Sequence, residues 1–166
     1  MRLRSDEVEL PNGLVLDAYY VRESHGFVVA CAITPERDVL LLRQYRYGVD
    51  DVLIELPAGS IDEGEDPLDC VKRELAEETG YTAERWEVLM SIPAEPVRSN
   101  SICHFFIAYD ARRTTAQQLD PTEWIEPFTV SLEKLREMLR AGQIRAVSAV
   151  AGAYAALDRL RSLKES

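Results

Sequence analysis

The sequence contains few cysteines and histidines, and it has fewer basic than acidic residues. Its three cysteines are odd in number and lack the spacing of a zinc site. This excludes a disulfide-rich or zinc-finger scaffold, and we expect three reduced thiols packed as small core residues. Neither of the two histidines has a cysteine or a second histidine at ligand spacing, which argues against a zinc centre.

The shortage of positive charge restricts the partners. Nineteen Lys and Arg stand against twenty-nine Asp and Glu, which leaves a net charge of −10. Broad binding to nucleic acid or to an anionic membrane requires a basic surface, so we expect neither partner. The sequence has no apolar run long enough to span a membrane, and its polar start does not resemble a signal peptide. We therefore expect a cytoplasmic protein whose 166 residues form one core.

Strand and helix patterns alternate along the chain. The turn signal Pro11-Asn12-Gly13 between two strand patterns predicts an N-terminal hairpin in residues 1–24, ahead of a main domain in residues 25–166. Residues 111–122 are polar and are expected to form a connector. This mixture predicts an α/β (α+β) fold with layers on one core. Further strands are predicted over 26–34, 39–45, 52–56, 86–92, 102–109 and 128–130, and helices over 66–80, 131–139 and 146–163.

Three glutamates on one predicted helix carry the strongest chemical signal. Glu74, Glu77 and Glu78 are spaced i, i+3 and i+4, so they project from one helix face. Like charges at this spacing repel each other. A hard divalent cation such as Mg²⁺ or Mn²⁺, which prefers oxygen ligands, would turn this repulsion into coordination. The alternative is a solvated acidic helix face, which runs of glutamate usually form.

The residues around the glutamates favour a metal site over a solvated surface. A glycine-rich loop precedes the helix, and Arg73 lies one helical turn from Glu77. We interpret Arg73 as a brace that orients the carboxylates, together with Glu65 in the loop. Asp66 and Pro67 suit the start of the helix, and Gly80 suits its end.

This segment resembles the signature box of the Nudix hydrolases, G-x5-E-x7-R-E-U-x-E-E-x-G-U, in which U is a bulky aliphatic residue. The aromatic Tyr81 at the last U departs from the pattern and should affect packing more than chemistry. The resemblance implies an α/β/α sandwich with a mixed sheet that hydrolyses a nucleoside diphosphate linked to another moiety, using two or more Mg²⁺ or Mn²⁺ ions. Every fixed position of the box matches: Gly59, Glu65, Arg73, Glu74, Glu77, Glu78 and Gly80.

The resemblance also implies roles for individual residues. Glu74 and Glu78 are the first candidates for metal ligands, with Glu77 shared or bridging, and the backbone carbonyl of Ala58 is a further ligand. A general base is implied on a loop after the box, where Glu123 is the first candidate and Glu126 the second. Glu77 is an alternative base, and an acidic surface loop without a catalytic role is the other interpretation.

Two features resemble the ADP-ribose pyrophosphatase group of this family. Arg46, in the run Arg-Gln-Tyr-Arg, is followed by Glu55, and Pro96 lies sixteen residues after Gly80. The planar fork of Arg46 is expected to contact the diphosphate or the terminal ribose, with Glu55, Pro96 and Arg98 also lining the substrate site. The alternatives are a surface arginine at a strand end and an ordinary turn proline.

The expected substrate is ADP-ribose or a related nucleoside diphosphate sugar, hydrolysed to a nucleoside monophosphate and a sugar phosphate. GDP-mannose, NADH and a non-catalytic module that senses a nucleotide sugar remain alternatives. Tyr19, Tyr20 and Trp124 are candidates for stacking on the base, although packing is the commoner role of aromatic residues. In similar hydrolases strands like those of residues 1–24 mediate dimerisation, so a homodimer is expected.

Overall fold

The strands and helices of the chain alternate as the sequence predicts. The computed structural model describes residues 2–165, so Met1 and Ser166, the outer ends of the predicted segments 1–24 and 25–166, lie outside the described residues. The elements are β1 (Arg2–Glu9), β2 (Val15–Glu23), β3 (Phe27–Ala32), β4 (Asp38–Arg46), β5 (Asp51–Glu55), β6 (Ala58–Ser60), α1 (Pro67–Thr79), β7 (Tyr81–Thr82), β8 (Arg85–Pro93), β9 (Ile102–Tyr109), β10 (Arg112–Arg113), β11 (Ile125–Ser131), α2 (Leu132–Arg140) and α3 (Val147–Glu165).

The core lies between two sheets and the helices that cover them. One sheet has the strand order β6-β3-β9-β8 and is mixed, because β3 and β9 run parallel while the other neighbours are antiparallel. The second sheet, β11-β4-β5, is antiparallel. Strands β3 and β9 are almost wholly buried because both of their faces are covered, which explains their continuous apolar runs.

Helices cover opposite faces of these sheets. On one side, α1 packs through Val71 and Leu75, which join clusters containing Val28 and Leu40. On the other side, α2 and α3 contribute buried residues to a larger cluster with Phe105 and other residues of the sheets. The result is the predicted α/β/α sandwich with a mixed sheet. No helix within residues 2–165 combines the length and apolar character needed to cross a membrane.

Helix α1 begins and ends where its sequence predicts. The Asp66 side chain accepts a hydrogen bond of 2.8 Å from the N–H of Leu68, and Pro67 occupies the first helical position. Gly80 adopts a φ of 75°, and its N–H donates to the carbonyl of Ala76 at 2.8 Å. These local signals fix the ends of the helix, while the packing of Val71 and Leu75 against the sheets sets the direction in which its glutamates project.

The strand predictions were incomplete at short and irregular elements. The three-residue β6, which follows Pro57, was not predicted because it is too short to show a period and forms only by pairing with β3. The pair β7–β10 was missed for the same reason, and it places two residues of the predicted connector in a strand. Strand β11 starts at Ile125 rather than at 128, because an edge strand tolerates Pro127.

The N-terminal hairpin forms a two-stranded sheet of its own. Strands β1 and β2 pair antiparallel, and Gly13 takes a φ of 82° in the turn between them. The hairpin contacts the turn before β9, where the N–H of Arg22 donates to the carbonyl of Arg98 at 2.7 Å. The N–H of Ser24 donates to the side-chain oxygen of Asn100 at 3.0 Å. A domain boundary after residue 24 stays a prediction.

Candidate active site

The carboxylate of Glu78 is buried where the last turn of α1 meets strand β6. The residue is 4% exposed, and its Oε2 accepts a hydrogen bond of 3.0 Å from the N–H of Ala58. The neighbouring carbonyl of Pro57 accepts from Ala30 of β3, so the N–H of Ala58 points away from β3. The N–H and C=O of one residue in a strand point to the same side, and the carbonyl of Ala58 therefore faces the side of Glu78.

Burial and neighbouring charges disfavour the ionised form of Glu78. Burial is the largest cause, and the charges of Glu74 and Glu123 act in the same direction. The hydrogen bond from Ala58 and the positive charge of Arg46 oppose the effect. The pKa of Glu78 is raised to about 8 as a result. A cation at this position would remove the reason for the shift, because it favours the ionised carboxylate.

Gly59 leaves the space that the carboxylate of Glu74 occupies. A Cβ atom at Gly59 would lie 1.8 Å from Cδ of Glu74, and 2.1 and 2.2 Å from its two oxygens. No side chain can therefore replace glycine here without displacing Glu74. The pKa of Glu74 is raised, mainly by burial and despite its hydrogen bond from Arg73. The first glycine of the box thus has a steric role.

Arg73 joins three carboxylates of the box. Its Nε and Nη2 donate to the two oxygens of Glu65 at 2.8 and 2.9 Å. Its Nη1 donates to Glu74 at 2.8 Å and to Glu77 at 3.0 Å. These contacts have the geometry of the predicted brace. The hydrogen bonds from Arg73 are the main reason that the pKa of Glu65 is lowered to about 2.

Arg46 and Glu55 form a bidentate pair at the ends of strands β4 and β5. The Nε and Nη2 atoms of Arg46 donate to the two carboxylate oxygens of Glu55 at 3.1 and 2.6 Å. Glu55 is buried, and its hydrogen bond is the main reason that the pKa of Arg46 is raised. The negative charges of Glu78 and Glu123 act in the same direction on the pKa of Arg46, so these two carboxylates lie near the pair.

The donor set suits a hard divalent cation. Within residues 2–165, no three acidic, histidine or cysteine side chains are already arranged to hold a metal ion. Glu74 and Glu77 instead accept hydrogen bonds from Arg73. However, Glu78 is a buried carboxylate with like-charged neighbours, and the carbonyl of Ala58 faces its side. Carboxylate and carbonyl oxygens are the ligands that Mg²⁺ and Mn²⁺ prefer. The residues therefore fit the predicted cation.

The two base candidates differ in position, because Glu126 belongs to strand β11 and Glu123 lies in the loop before it. Glu126 of β11 is opposite Arg43 and forms an ion pair with it at 3.5 Å. Arg43 and Arg46 differ by an odd number of positions along β4, so Glu126 points to the face opposite Arg46. Glu123 precedes β11, and its charge reaches Glu74 and Glu78. The structure therefore brings Glu123, rather than Glu126, near Glu74 and Glu78.

Pro96 and Arg98 lie in the turn that contacts the N-terminal hairpin. The carbonyl of Arg98 accepts the hydrogen bond from Arg22, and the Tyr19 hydroxyl donates to the carbonyl of Val97. Both Pro96 and Arg98 are exposed. Their contacts join them to the hairpin, and no hydrogen bond or ion pair within residues 2–165 joins them to Arg46 or Glu78. A place in the substrate site stays a prediction.

Sequence reasoning overlooked two glutamines at the site. The side chain of Gln117 donates from Nε2 to the carbonyls of Glu78, at 2.6 Å, and Ile125, at 3.0 Å. Gln44 is buried on the Arg46 face of β4, and its Oε1 has no hydrogen-bond partner within the described residues. The Arg-Gln-Tyr-Arg run was a sequence signal that included Gln44. No local signal distinguished Gln117 from the rest of the polar connector, because its partners are backbone carbonyls distant in sequence.

We expect Gly59→Ala to lower the hydrolytic activity that the box predicts by roughly tenfold to a hundredfold, since a misplacement near 1 Å has an effect of this size. The added methyl group displaces the carboxylate of Glu74. Gly48→Ala is the control, because its Cβ meets no atom within 4 Å. The measurement is kcat and KM, with circular dichroism to verify the fold. Equal activity of the two variants would contradict the steric role of Gly59.

The raised pKa of Glu78 predicts that the metal-free protein loses stability as pH rises. The unfolded carboxyl deprotonates near 4.5 and the folded one near about 8, so the free energy of unfolding declines between these values. The decline should be a few kcal/mol at most, because one pKa unit corresponds to about 1.4 kcal/mol. Urea unfolding in EDTA across this range measures it. Glu78→Gln should make the decline smaller, with the remainder due to Glu74, whose pKa is also raised, and an unchanged slope would contradict this prediction.

The chain is similar to known proteins over most of its length. A family model described as the NUDIX domain matches residues 24–150. A methanol dehydrogenase activator of Bacillus methanolicus is 34% identical over 145 residues, which cover 87% of this chain and 78% of that protein. An ADP-ribose pyrophosphatase of Bacillus subtilis is 32% identical over 140 residues, which cover 84% of this chain and 75% of that protein.

The fold also matches a solved structure. The crystal structure of an ADP compounds hydrolase superimposes with a TM-score of 0.85, covering 99% of this chain and 88% of that chain. The sequence identity is 21%, so this likeness concerns the fold, and it confirms the predicted sandwich with a mixed sheet. The family model, the relatives and the complete signature box agree, and the chain belongs to the Nudix hydrolase family.

Proposed function

We propose that this Nudix hydrolase cleaves the pyrophosphate bond of ADP-ribose or a related nucleoside diphosphate sugar, giving a nucleoside monophosphate and a sugar phosphate. The observation that carries the proposal is the position of the Arg46–Glu55 pair beside the carboxylate of Glu78. A site for a diphosphate needs both positive and negative groups. Cations must neutralise the oxygens of the diphosphate, and carboxylates must hold those cations. The ADP-ribose pyrophosphatase of Bacillus subtilis supports the choice of substrate class.

Arg46 is suited to bind the diphosphate or the terminal ribose. Glu55 occupies its Nε and Nη2 atoms, while Nη1 has no hydrogen-bond partner within residues 2–165. The bidentate contact fixes the plane of the guanidinium, so the free N–H groups are held in one direction. Glu55 therefore contributes by orientation, and its own burial keeps the pair in place.

The proposed cofactor is Mg²⁺ or Mn²⁺, with two or more ions held by Glu74, Glu77, Glu78 and the carbonyl of Ala58. When bound, such ions activate water and neutralise charge on the phosphoryl oxygens. Arg73 and Glu65 are the proposed orienting residues, because Arg73 bonds to Glu65, Glu74 and Glu77 together. A requirement for a divalent cation is general among Nudix hydrolases.

The proposed general base is Glu123. Its carboxylate is exposed to solvent, and its Oε2 accepts a hydrogen bond of 3.1 Å from the N–H of Asp120. It would take a proton from the attacking water in line with the leaving group. Glu77 is the alternative, although its carboxylate is shared with Arg73. Glu126 is the weaker candidate because it points to the opposite face of the sheet.

We further propose a cytoplasmic homodimer that associates through the N-terminal hairpin. Leu3 and Tyr20 are 66% and 60% exposed on the hairpin, and Val97 is 65% exposed on the turn beside it. An exposed apolar surface of this kind is typical of an interface. The cytoplasmic location agrees with three buried cysteines that form no disulfide.

A substrate panel tests the proposed activity. We expect cleavage of ADP-ribose to AMP and ribose 5-phosphate with Mg²⁺ and none with EDTA, in a panel that also contains GDP-mannose, NADH, diadenosine polyphosphate and 8-oxo-dGTP. Glu78→Gln should lose most of the turnover because it removes a charged ligand. Glu36→Gln should retain full activity, because Glu36 lies in the exposed turn before β4, at the opposite end of that strand from Arg46.

The outcomes of the panel separate the alternatives. Preferred cleavage of GDP-mannose would preserve the chemistry and contradict the substrate. Near-normal turnover by Glu78→Gln with Mg²⁺ would contradict the metal ligand. If no compound is cleaved but one binds tightly, the protein is a sensing module rather than an enzyme.

Light scattering at micromolar concentration tests the dimer. We expect the mass of two chains for the wild type, and a shift toward one chain for Tyr20→Glu, because a charge would be buried in the interface. Tyr154→Glu is a matched control, since Tyr154 is 51% exposed on α3, away from the hairpin. A wild-type monomer would contradict the proposal.

A further inference from the structure

We propose that Gln117 is a positioning residue that holds the loop of Glu123 against the end of helix α1. The single amide nitrogen of Gln117 donates to the carbonyl of Glu78 at 2.6 Å and to the carbonyl of Ile125 at 3.0 Å. The first carbonyl belongs to Glu78, whose carboxylate is buried, and the second belongs to Ile125, the first residue of β11. This inference rests on the proposed function, because it gives Glu123 the role of the base.

The bond to Glu78 belongs to a larger cap on helix α1. The last carbonyls of a helix lack partners within the helix. Here the N–H of Gln118 donates to the carbonyl of Glu77 at 2.8 Å, and the N–H of Thr114 donates to the carbonyl of Gly80 at 2.9 Å. Residues 114–118 therefore wrap around the end of the helix, and Gln117 contributes the side chain of this cap.

The bond to Ile125 connects the cap with the far side of the catalytic loop. Ile125 is buried and pairs with Gln44 on β4, so it is a firm anchor. Between the two anchors, few hydrogen bonds of residues 119–124 are found within the described residues, and those of Glu123 are to Asp120. The position of Glu123 relative to Glu78 therefore depends on the two anchors and on the amide that joins them.

The side-chain amide of Gln117 has the length and the two donors needed to join the two anchors. Both N–H groups of the nitrogen are used, since each of the two carbonyls accepts one. A glutamate carboxylate has no donor for the two carbonyls, and an asparagine is shorter by one methylene group. Methionine has a similar length but no donor, so Gln117→Met removes the bonds and keeps most of the volume.

Hydrogen exchange tests the positioning without reference to activity. We expect the amides of residues 119–124 to exchange faster in Gln117→Met than in the wild type, because one anchor of the loop is lost. Gln118→Met is the matched control. Its side chain is exposed, and its only described hydrogen bond comes from the backbone N–H, which the substitution leaves in place. Equal exchange in the two variants would overturn the proposal.

A double-mutant cycle tests whether Gln117 acts through Glu123. We expect Gln117→Met to lower kcat by roughly tenfold to a hundredfold while KM stays nearly constant. In the Glu123→Gln background the same change should lower kcat by less than about threefold, because the group that it positions is already lost. A residue that only stabilises the fold would give equal losses in both backgrounds, and this result would overturn the proposal.

The two proposals can fail separately. If the wild type cleaves no compound of the panel, the proposed function is wrong, and hydrogen exchange still decides whether Gln117 holds the loop. If the wild type is active and loop exchange is unchanged in Gln117→Met, the proposed function stands and the role of Gln117 is wrong. Urea unfolding of both methionine variants shows whether each is folded at the assay temperature.

Discussion

The burial of one carboxylate is the constraint on which the site depends. Glu78 lies at the end of α1, almost without solvent, and its side chain receives a single hydrogen bond from the N–H of Ala58. Burying an ionised carboxylate is costly unless a positive charge offsets it. The metal-free protein reduces the cost by retaining the proton, as the pKa of about 8 indicates. The proposed cation would offset the same cost by its positive charge.

Two arginines divide the remaining negative charge of the site. Arg73 bonds to Glu65, Glu74 and Glu77, while Arg46 is fixed by Glu55 on a different pair of strands. Arg73 thus acts within the box, and Arg46 is the residue that we propose to bind the substrate. This separation explains how a protein with a net charge of −10 can accept an anionic substrate, because the local field differs from the total charge.

The backbone around α1 places the groups that the sequence leaves far apart. Strand β6 brings Ala58 to Glu78, and Gly59 leaves room for the carboxylate of Glu74. Residues 114–118 cap the same C-terminal end of the helix and lead to Glu123. Short irregular segments therefore hold the C-terminal end of helix α1. Strand β6 carries no periodic pattern, which is why the strand predictions missed it.

The sequence by itself determined the limits of α1 and the shared face of its glutamates, because capping and helical spacing act within a few residues. It also indicated the fold class, since strand and helix periods alternate along the chain. Only the tertiary structure decided that Glu123 approaches Glu78 while Glu126 points to the other face of the sheet. It alone connected Gln117 to two backbone carbonyls and Arg98 to the hairpin. These relations depend on strand register and on loop closure, which join residues distant in sequence, and no local pattern encodes them.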